Sequence, residues 1–274
     1  MNIKQLVKRS TLMIAMLLAV AVAFTGCSAD GNGKTTITEA GSTTVQPLAQ
    51  SLADVFMSDN PDVEITVQGG GSSVGVQSAI DGTVDIGAAS RALKPSEEGL
   101  GLVVHHIASD GIAIVTHPNQ TVSELTTDQV RQIFAGDITN WSEVGGADAV
   151  IAVIAREEGS GTRAAFEEMV MEDEVITDTA ILLPSNGAVR TAVAEDPDSI
   201  GFLSFGYLDD STKALDIDGV EATVENAFSG DYPIVRPLLF VTLGEPTGKV
   251  KEFIDFCLGT EGQAIVAEDY LPVI

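Results

Sequence analysis

Eight consecutive residues carry the densest chemistry of this chain: Arg156-Glu157-Glu158-Gly159-Ser160-Gly161-Thr162-Arg163. An apolar run, Ala149 to Ala155, leads in and reads as a buried strand. A helical pattern leads out, with Phe166, Met169 and Val170 on one face. Between them a loop of small residues opens onto a helix N-terminus. Its two glycines let the backbone approach a ligand, and the first helical N–H groups have no intrahelical partner. Ser160 and Thr162 add hydroxyls, and Arg156 and Arg163 add positive charge. Together these form a seat for an anion, built from oriented dipoles and cations. An ordinary Ser/Thr helix cap after a glycine turn would read the same way at any single position. Here the design recurs, at Gly41-Ser42-Thr43-Thr44 and at Gly71-Ser72-Ser73. Three such N-termini aimed at one point would hold a tetrahedral oxyanion with little formal positive charge.

The elements that must position these turns follow from periodicity. Thr35 to Thr38 is a short β-prone run, and Val45, Leu48, Leu52, Val55 and Phe56 mark one face of a helix with Pro47 in its first turn. Val63, Ile65 and Val67 alternate as a strand, and a short helix runs through Val76 and Ile80. Val84 to Ala88 is a strand ending at Ser90-Arg91. Leu102 to Ile107 and Gly111 to Val115 read as two strands with Ser109-Asp110 between them. Thr127 caps a helix carrying Val130, Ile133 and Phe134. Pro184-Ser185-Asn186-Gly187 turns into a helix with Val189 and Val193, and Ile200 to Ser204 is a strand. Lys213 to Val224 reads as a hairpin region. Pro233 and Pro237 give a stiff extended path into the apolar run Leu238 to Thr242. Val250, Phe253, Ile254, Cys257 and Leu258 mark a last amphipathic helix, and Thr260 with Gln263 spells a capping box for a further one. Strands alternating with helices imply βα units and mainly parallel sheets.

Length and charge bound the partners. The chain has 274 residues, enough for two lobes, and a formal net charge of −26. Such acidity lacks the basic footprint that nucleic acid requires. Cys257 is the one cysteine beyond the N-terminal region, so no disulfide framework and no cysteine-rich zinc site is expected, and no metal or other cofactor is called for. The first 26 residues carry Lys4, Lys8 and Arg9, no acid, and an apolar run from Leu12 to Phe24. They read as an export signal. The sequence Phe24-Thr25-Gly26-Cys27 resembles a lipoprotein signal, in which the cysteine receives lipid; a plain cleaved signal and a retained anchor are the alternatives. Residues 27–34 are a polar tether. Every one of these readings exports the body, and the lipidated one places it at the outer face of the cell membrane.

Other chemistries fit poorly. Gly70-xxxx-Gly75 has P-loop glycine spacing, but Val76 and Gln77 stand where Lys and Ser/Thr are needed. Gly159-x-Gly161-xx-Ala164 follows a strand as a dinucleotide fingerprint would, yet Glu157-Glu158 would crowd a pyrophosphate. Ser160 lacks a nucleophile elbow. His105 and His106 are neighbours on a strand and face opposite sides, and His117 precedes Pro118. No catalysis is expected.

Four motifs, in order, resemble the phosphate-binding proteins of bacterial and archaeal phosphate ABC transporters. They are Gly41-Ser42-Thr43-Thr44-Val45-Gln46-Pro47, Gly70-Gly71-Ser72-Ser73, Asp85-Ile86-Gly87-Ala88-Ala89-Ser90-Arg91 and Arg156-xxx-Ser160-Gly161-Thr162, with Gly230-Asp231-Tyr232-Pro233 similar as well. The resemblance runs from about Thr35 to the C-terminus. It implies a two-lobed periplasmic-binding-protein fold, each lobe a mainly parallel sheet flanked by helices, closing on inorganic phosphate and docking on a membrane permease. Lobe I would be residues 35–113 plus 235–274, and lobe II residues 114–234. By position, Ser42, Thr43, Thr44 and Ser72 would serve the ligand from lobe I. Arg156, Ser160, Gly161 and Thr162 would serve it from lobe II. In well-known members an aspartate stands where this chain has Ser90 and accepts the proton of bound phosphate. The expectation here is that Asp110 supplies that carboxylate, balanced by Arg91. A monomer is expected. Sulfate, molybdate or tungstate remain alternative ligands, and a sensing or adhesion module without transport remains an alternative role.

Overall fold

The computed structural model of the protein describes residues 33–274. The expected signal at 1–26 and the lipidation site Cys27 lie outside the described residues, as does most of the tether. Strand β1 (Thr35–Gly41) pairs in parallel with β2 (Val63–Gly69), and helix α1 (Val45–Asp59) joins them. Val45, Leu48, Ala49, Leu52, Ala53 and Phe56 form the buried stripe of α1, at the three- and four-residue spacing of a helix face. Helix α2 (Ser72–Ile80) leads to β3 (Ile86–Ala89), which pairs in parallel on the other side of β1. Next comes β4 (Leu102–Thr116), then β5 (Glu124–Leu125) and α3 (Thr127–Ala135). Strand β6 (Ala152–Arg156) feeds α4 (Gly161–Phe166), which continues as a π-helical stretch Glu167–Met171. Then follow β7 (Ile181–Leu183), α5 (Asn186–Glu195), β8 (Ser199–Ser204), β9 (Lys213–Ala214), β10 (Asp216–Ile217) and α6 (Val224–Ser229). Strand β11 (Val235–Leu243) and helices α7 (Gly248–Leu258) and α8 (Thr260–Asp269) close the chain.

The main sheet runs β2-β1-β3-β11-β4-β8-β6-β7, with β9 also on β4. Its outer thirds are parallel, as the βα alternation predicts. Its centre is antiparallel: β11 pairs with β3 and β4, and β4 with β8. Two large apolar cores lie along it. One holds Ile37 to Ala108 of the earlier chain and Leu238 to Tyr270 of the later chain. The other holds Ile112 to Ile234 and takes Leu271. Among the described residues, only β4 and β11 belong to both. They change core at Ser109-Asp110-Gly111 and Arg236-Pro237, and Arg236 is the register partner of Asp110.

Four local expectations are corrected. Leu102 to Thr116 is one strand and not two, because Ser109 and Asp110 are paired across to Pro237 and Arg236 and need no turn to reach water. The 213–224 region is a hairpin only at its tip, where Ile217 and Val220 exchange both backbone hydrogen bonds at 2.9 Å around Asp218-Gly219; otherwise β9 pairs with β4, and β10 pairs in parallel with β5. Helix α3 is capped one residue earlier, where Thr126 and Gln129 form the reciprocal capping box. Gln263 makes no box with Thr260. Its Nε2 donates instead to the carbonyls of Ile107 and Cys257, both at 2.8 Å, and so ties α8 to β4. Among the described residues no helix is long and apolar enough to cross a membrane.

Candidate functional site

The three Gly/Ser/Thr turns meet. Gly41 sits at φ +148, and a Cβ there would fall 2.2 Å from the Ala88 carbonyl, so only glycine turns the chain tightly enough off β1. Ser42 then starts the first turn of α1. Its carbonyl accepts from Gln46 N–H, and its Oγ accepts from Thr44 N–H at 3.1 Å. Gly71 N–H donates to the Gly41 carbonyl at 2.8 Å, which sets the start of α2 beside the start of α1. Ser72 Oγ accepts from Ser90 N–H at 3.0 Å, and Ser42 Oγ donates to Ser90 Oγ at 2.9 Å. Opposite them, Ser160 Oγ caps α4 by accepting from Arg163 N–H at 3.2 Å. Thr162 Oγ1 lies 3.0 Å from Thr44 Oγ1. A Cβ on Gly161 would fall 2.2 Å from Ser72 Oγ and 2.5 Å from Ser90 Oγ. The α4 turn is therefore packed directly against the other two.

Two guanidinium groups are buried here. Arg156, at the end of β6, donates through Nε to the Leu183 carbonyl and through Nη2 to the Pro184 carbonyl and Thr43 Oγ1. Its Nη1 is buried and has no protein partner. Burial, and then the charge of Arg236, pull its pKa down to about 10. Arg236, on β11, donates to Asp110 Oδ2 through Nε at 3.1 Å and Nη2 at 2.9 Å, and to Ser90 and Thr44 Oγ1. Burial pushes the Asp110 carboxyl up; Arg236, Ser204 Oγ and Phe205 N–H pull against it. Two guanidinium charges against one carboxylate leave the cluster with one positive charge in excess. In a low-dielectric interior such a charge is costly unless an anion joins it.

Of the predicted residues, Ser42, Thr43, Thr44, Ser72, Ser90, Arg156, Gly161 and Thr162 come together, with Ser160 supporting the α4 turn. Asp110 stands behind Arg236. Arg91 is elsewhere. It does not balance Asp110; its two Nη atoms grip both Glu97 carboxylate oxygens at 2.8 Å. Glu97 is held low by Arg91 and the Lys94 N–H against its own desolvation. Arg91 lines a recess of about 210 Å³ with Ser73, Lys94 and Arg163, on the outer side of the α4 turn, whose Gly159 and Ser160 also border it.

Sequence reasoning missed two members. Arg236 donates to both Ser90 and Thr44, and Asn186 Nδ2 donates to Thr44 Oγ1 at 2.9 Å. A signal existed for Arg236: a lone arginine inside an apolar, proline-flanked run of a strongly acidic chain. For Asn186, at the start of α5, nothing local distinguished it from a turn residue. Two tyrosines brace the first turn from outside, Tyr207 Oη donating to the Thr43 carbonyl at 2.6 Å and Tyr270 Oη to that of Thr44 at 3.4 Å.

A family model for the PBP superfamily domain matches residues 28–261. The phosphate-binding protein PstS of Bacillus subtilis is 37% identical over 254 residues, 90% of this chain and 84% of its own length. The chain belongs to the PstS phosphate-binding protein family. Within the family it is also similar to PstS of Borreliella burgdorferi, at 29% identity over 95% of this chain and 97% of that one. Among solved structures, a Clostridium perfringens protein described as a phosphate ABC transporter substrate-binding protein, with bound phosphate, matches at TM-score 0.86 and 43% identity. That match covers 88% of this chain and all of the other. An ABC-type phosphate transport receptor from Vibrio cholerae matches at TM-score 0.73 and 34% identity, over 87% of this chain and 100% of that one. These PstS-family relatives are named as binding proteins.

Proposed function

We propose that the chain is an exported binding protein that captures inorganic phosphate between two lobes and hands it to the permease of an ABC transporter. One observation carries the reading: a buried cluster with an excess positive charge, an Arg156 Nη1 without a protein partner, and three turns of N–H groups and hydroxyls converging on it. That is the complement of a small tetrahedral oxyanion. The family relatives, named for phosphate, supply the ligand's identity. Thr43, Thr44, Ser72 and Ser90 serve the ligand with Arg236 from one lobe. Arg156, Ser160, Gly161, Thr162 and Asn186 serve it from the other. Drawn at the change of core, the lobes are residues 35–111 plus 235–274, and residues 112–234, a boundary two residues earlier than expected, with β4 and β11 as the crossing. Contacts from both sides give the ligand a reason to favour the closed arrangement, since an open one cannot make them all. The protein acts as a monomer, held at the outer face of the cell membrane through lipid on Cys27, and it performs no catalysis.

The test is calorimetric titration of the full chain with phosphate, after dialysis has removed carried-over anion. Saturable one-to-one binding that Arg156→Met weakens supports the reading. A folded protein silent toward phosphate overturns it.

A further inference from the structure

Helix α1 opens with a backbone group that its own sequence cannot satisfy. In an α-helix a carbonyl accepts from the N–H four residues on. The Ser42 carbonyl does so, from Gln46 N–H at 3.0 Å. Four residues beyond Thr43 stands Pro47, which has no N–H to give. The Thr43 carbonyl is taken instead by Tyr207 Oη, at 2.6 Å and from 164 positions away along the chain. The two ends of this bond belong to different cores. Thr43 lies just before Val45 of the first core, and Tyr207 just after Phe205 of the second.

The segment that presents Tyr207 is held at several points. Ser204 Oγ and Phe205 N–H both donate to Asp110 Oδ1. Gly206 presses on Tyr270, where a Cβ would fall 2.3 Å from Tyr270 Oη. The Tyr207 carbonyl accepts from Arg190 Nη1 at 3.3 Å, and Arg190 is itself paired with Asp209. Burial pushes the Tyr207 phenol up, against the pull of Arg156 and Arg190, so the hydroxyl keeps the proton it donates. Other side-chain bonds across this seam join groups that an anion would engage: Thr44 with Thr162 and Asn186, and Thr43 Oγ1 with Arg156. The Tyr207 bond is different. A carbonyl in a helical turn points along the axis, away from the free N-terminal N–H groups, and it offers an anion no donor. Bond and ligand therefore do not compete.

We infer that Tyr207 is a closure latch, a positioning residue that touches no ligand and slows phosphate release by bonding the carbonyl that Pro47 leaves without a donor. The inference rests on the two-lobe capture reading above and adds a residue to it. When the lobes part, the carbonyl meets water in place of the phenol. The bond is thus made only in the closed arrangement, and it tightens binding by raising the closed fraction. A closed form lacking the phenol would shut an unpaired carbonyl into the seam, at a cost of about tenfold in affinity.

The experiment measures phosphate affinity, association rate and release rate for the full, anion-free chain and for Tyr207→Phe, Pro47→Ala and the double variant. Tyr207→Phe keeps the ring and removes the donor. It should weaken phosphate about tenfold through faster release, with association within about twofold and the urea midpoint of the ligand-free protein unchanged. Pro47 is exposed, and alanine there gives the Thr43 carbonyl an N–H from its own helix in open and closed forms alike. In that background Tyr207→Phe should cost less than about threefold. Such coupling between the two positions is not expected of a tyrosine that serves only as packing. Unchanged release in Tyr207→Phe, or a tenfold loss that Pro47→Ala does not relieve, overturns the latch and leaves phosphate capture standing. So does a fall in ligand-free stability that matches the fall in affinity. Silence of the unaltered chain toward phosphate overturns the capture reading and the latch together.

Discussion

Arg156 and Arg236 are both buried arginines, yet they answer to different accounts. Arg236 has its own carboxylate in Asp110, while Arg156 has two carbonyls, a hydroxyl and a free Nη1. Removing Arg236 strands a buried charge on Asp110, and Arg236→Met should lower unfolding free energy by about 3–5 kcal/mol in urea titration. Removing Arg156 strands no charge. Arg156→Met should leave the ligand-free protein folded with a small stability change, and weaken phosphate by roughly 100-fold or more, the loss of charge-assisted hydrogen bonds. Glu39 sets a third case. It lies in the first core with neither carboxylate oxygen bonded, and burial pushes its pKa up to about 8. The folded state thus holds a proton that the unfolded chain has released above its ordinary 4.5. Its stability contribution is complete below about pH 4.5 and is lost as pH rises through about 8. Glu39→Gln should match the wild type near pH 4.5 and exceed it at pH 8.5 by roughly 2–5 kcal/mol, read by urea unfolding at the two pH values. Equal stability at both would mean that Glu39 ionises freely in the fold. The contiguous residues of the cluster were legible in sequence, because one turn carries glycine, hydroxyl and arginine together. Arg236 and Asn186 were not, because their partners lie far away along the chain and only the packed sheet brings them close.

The convergence of turns lives at the scale of elements. The α4 turn approaches α2 and β3 so closely that position 161 has no room for a methyl group. Gly161→Ala should therefore keep the two cores intact and hold the turns apart. The expected outcome is at least a tenfold loss of phosphate affinity with little change in thermal midpoint. Unchanged affinity would show that the approach is dispensable. Most elements were legible from apolar spacing, including α1, α5, α7 and the β8 strand. What failed were places where a polar residue was satisfied by a distant partner. Ser109-Asp110 read as a break in the strand because a buried aspartate is expensive alone, and its arginine lies on β11. Gln263 read as a cap because its true acceptors, Ile107 and Cys257, do not show in local spacing.

At the scale of the whole molecule, the cationic cluster is enclosed by a chain of net charge −26. The long-range field repels a phosphate dianion, and the attraction acts only near the site. Mobile ions screen the first effect over about 8–10 Å at physiological salt and leave the enclosed contacts largely untouched. The association rate, measured by stopped flow, should rise by about two- to tenfold between 10 mM and 150 mM sodium chloride, the reverse of a cationic receptor. A rate that falls with salt would mean that local positive potential reaches past the mouth. The sequence led to the expectation of a pair of lobes, but the antiparallel centre of the sheet was not legible in it. Alternating βα units predict only parallel neighbours, and β4 and β11 are paired across more than a hundred intervening residues.

That pairing has a genetic meaning. The backbone leaves the first core at Gly111 and returns at Val235, and these two residues face each other in register, with Ile112 N–H on the Ile234 carbonyl at 2.9 Å. The intervening text is therefore an insertion with a ready-made suture. A gene that joins residue 111 to residue 235 through a short hairpin turn of about two residues would write the outer unit as one uninterrupted sentence. The excised piece, its ends already adjacent, would be a portable module for grafting between the strands of another host.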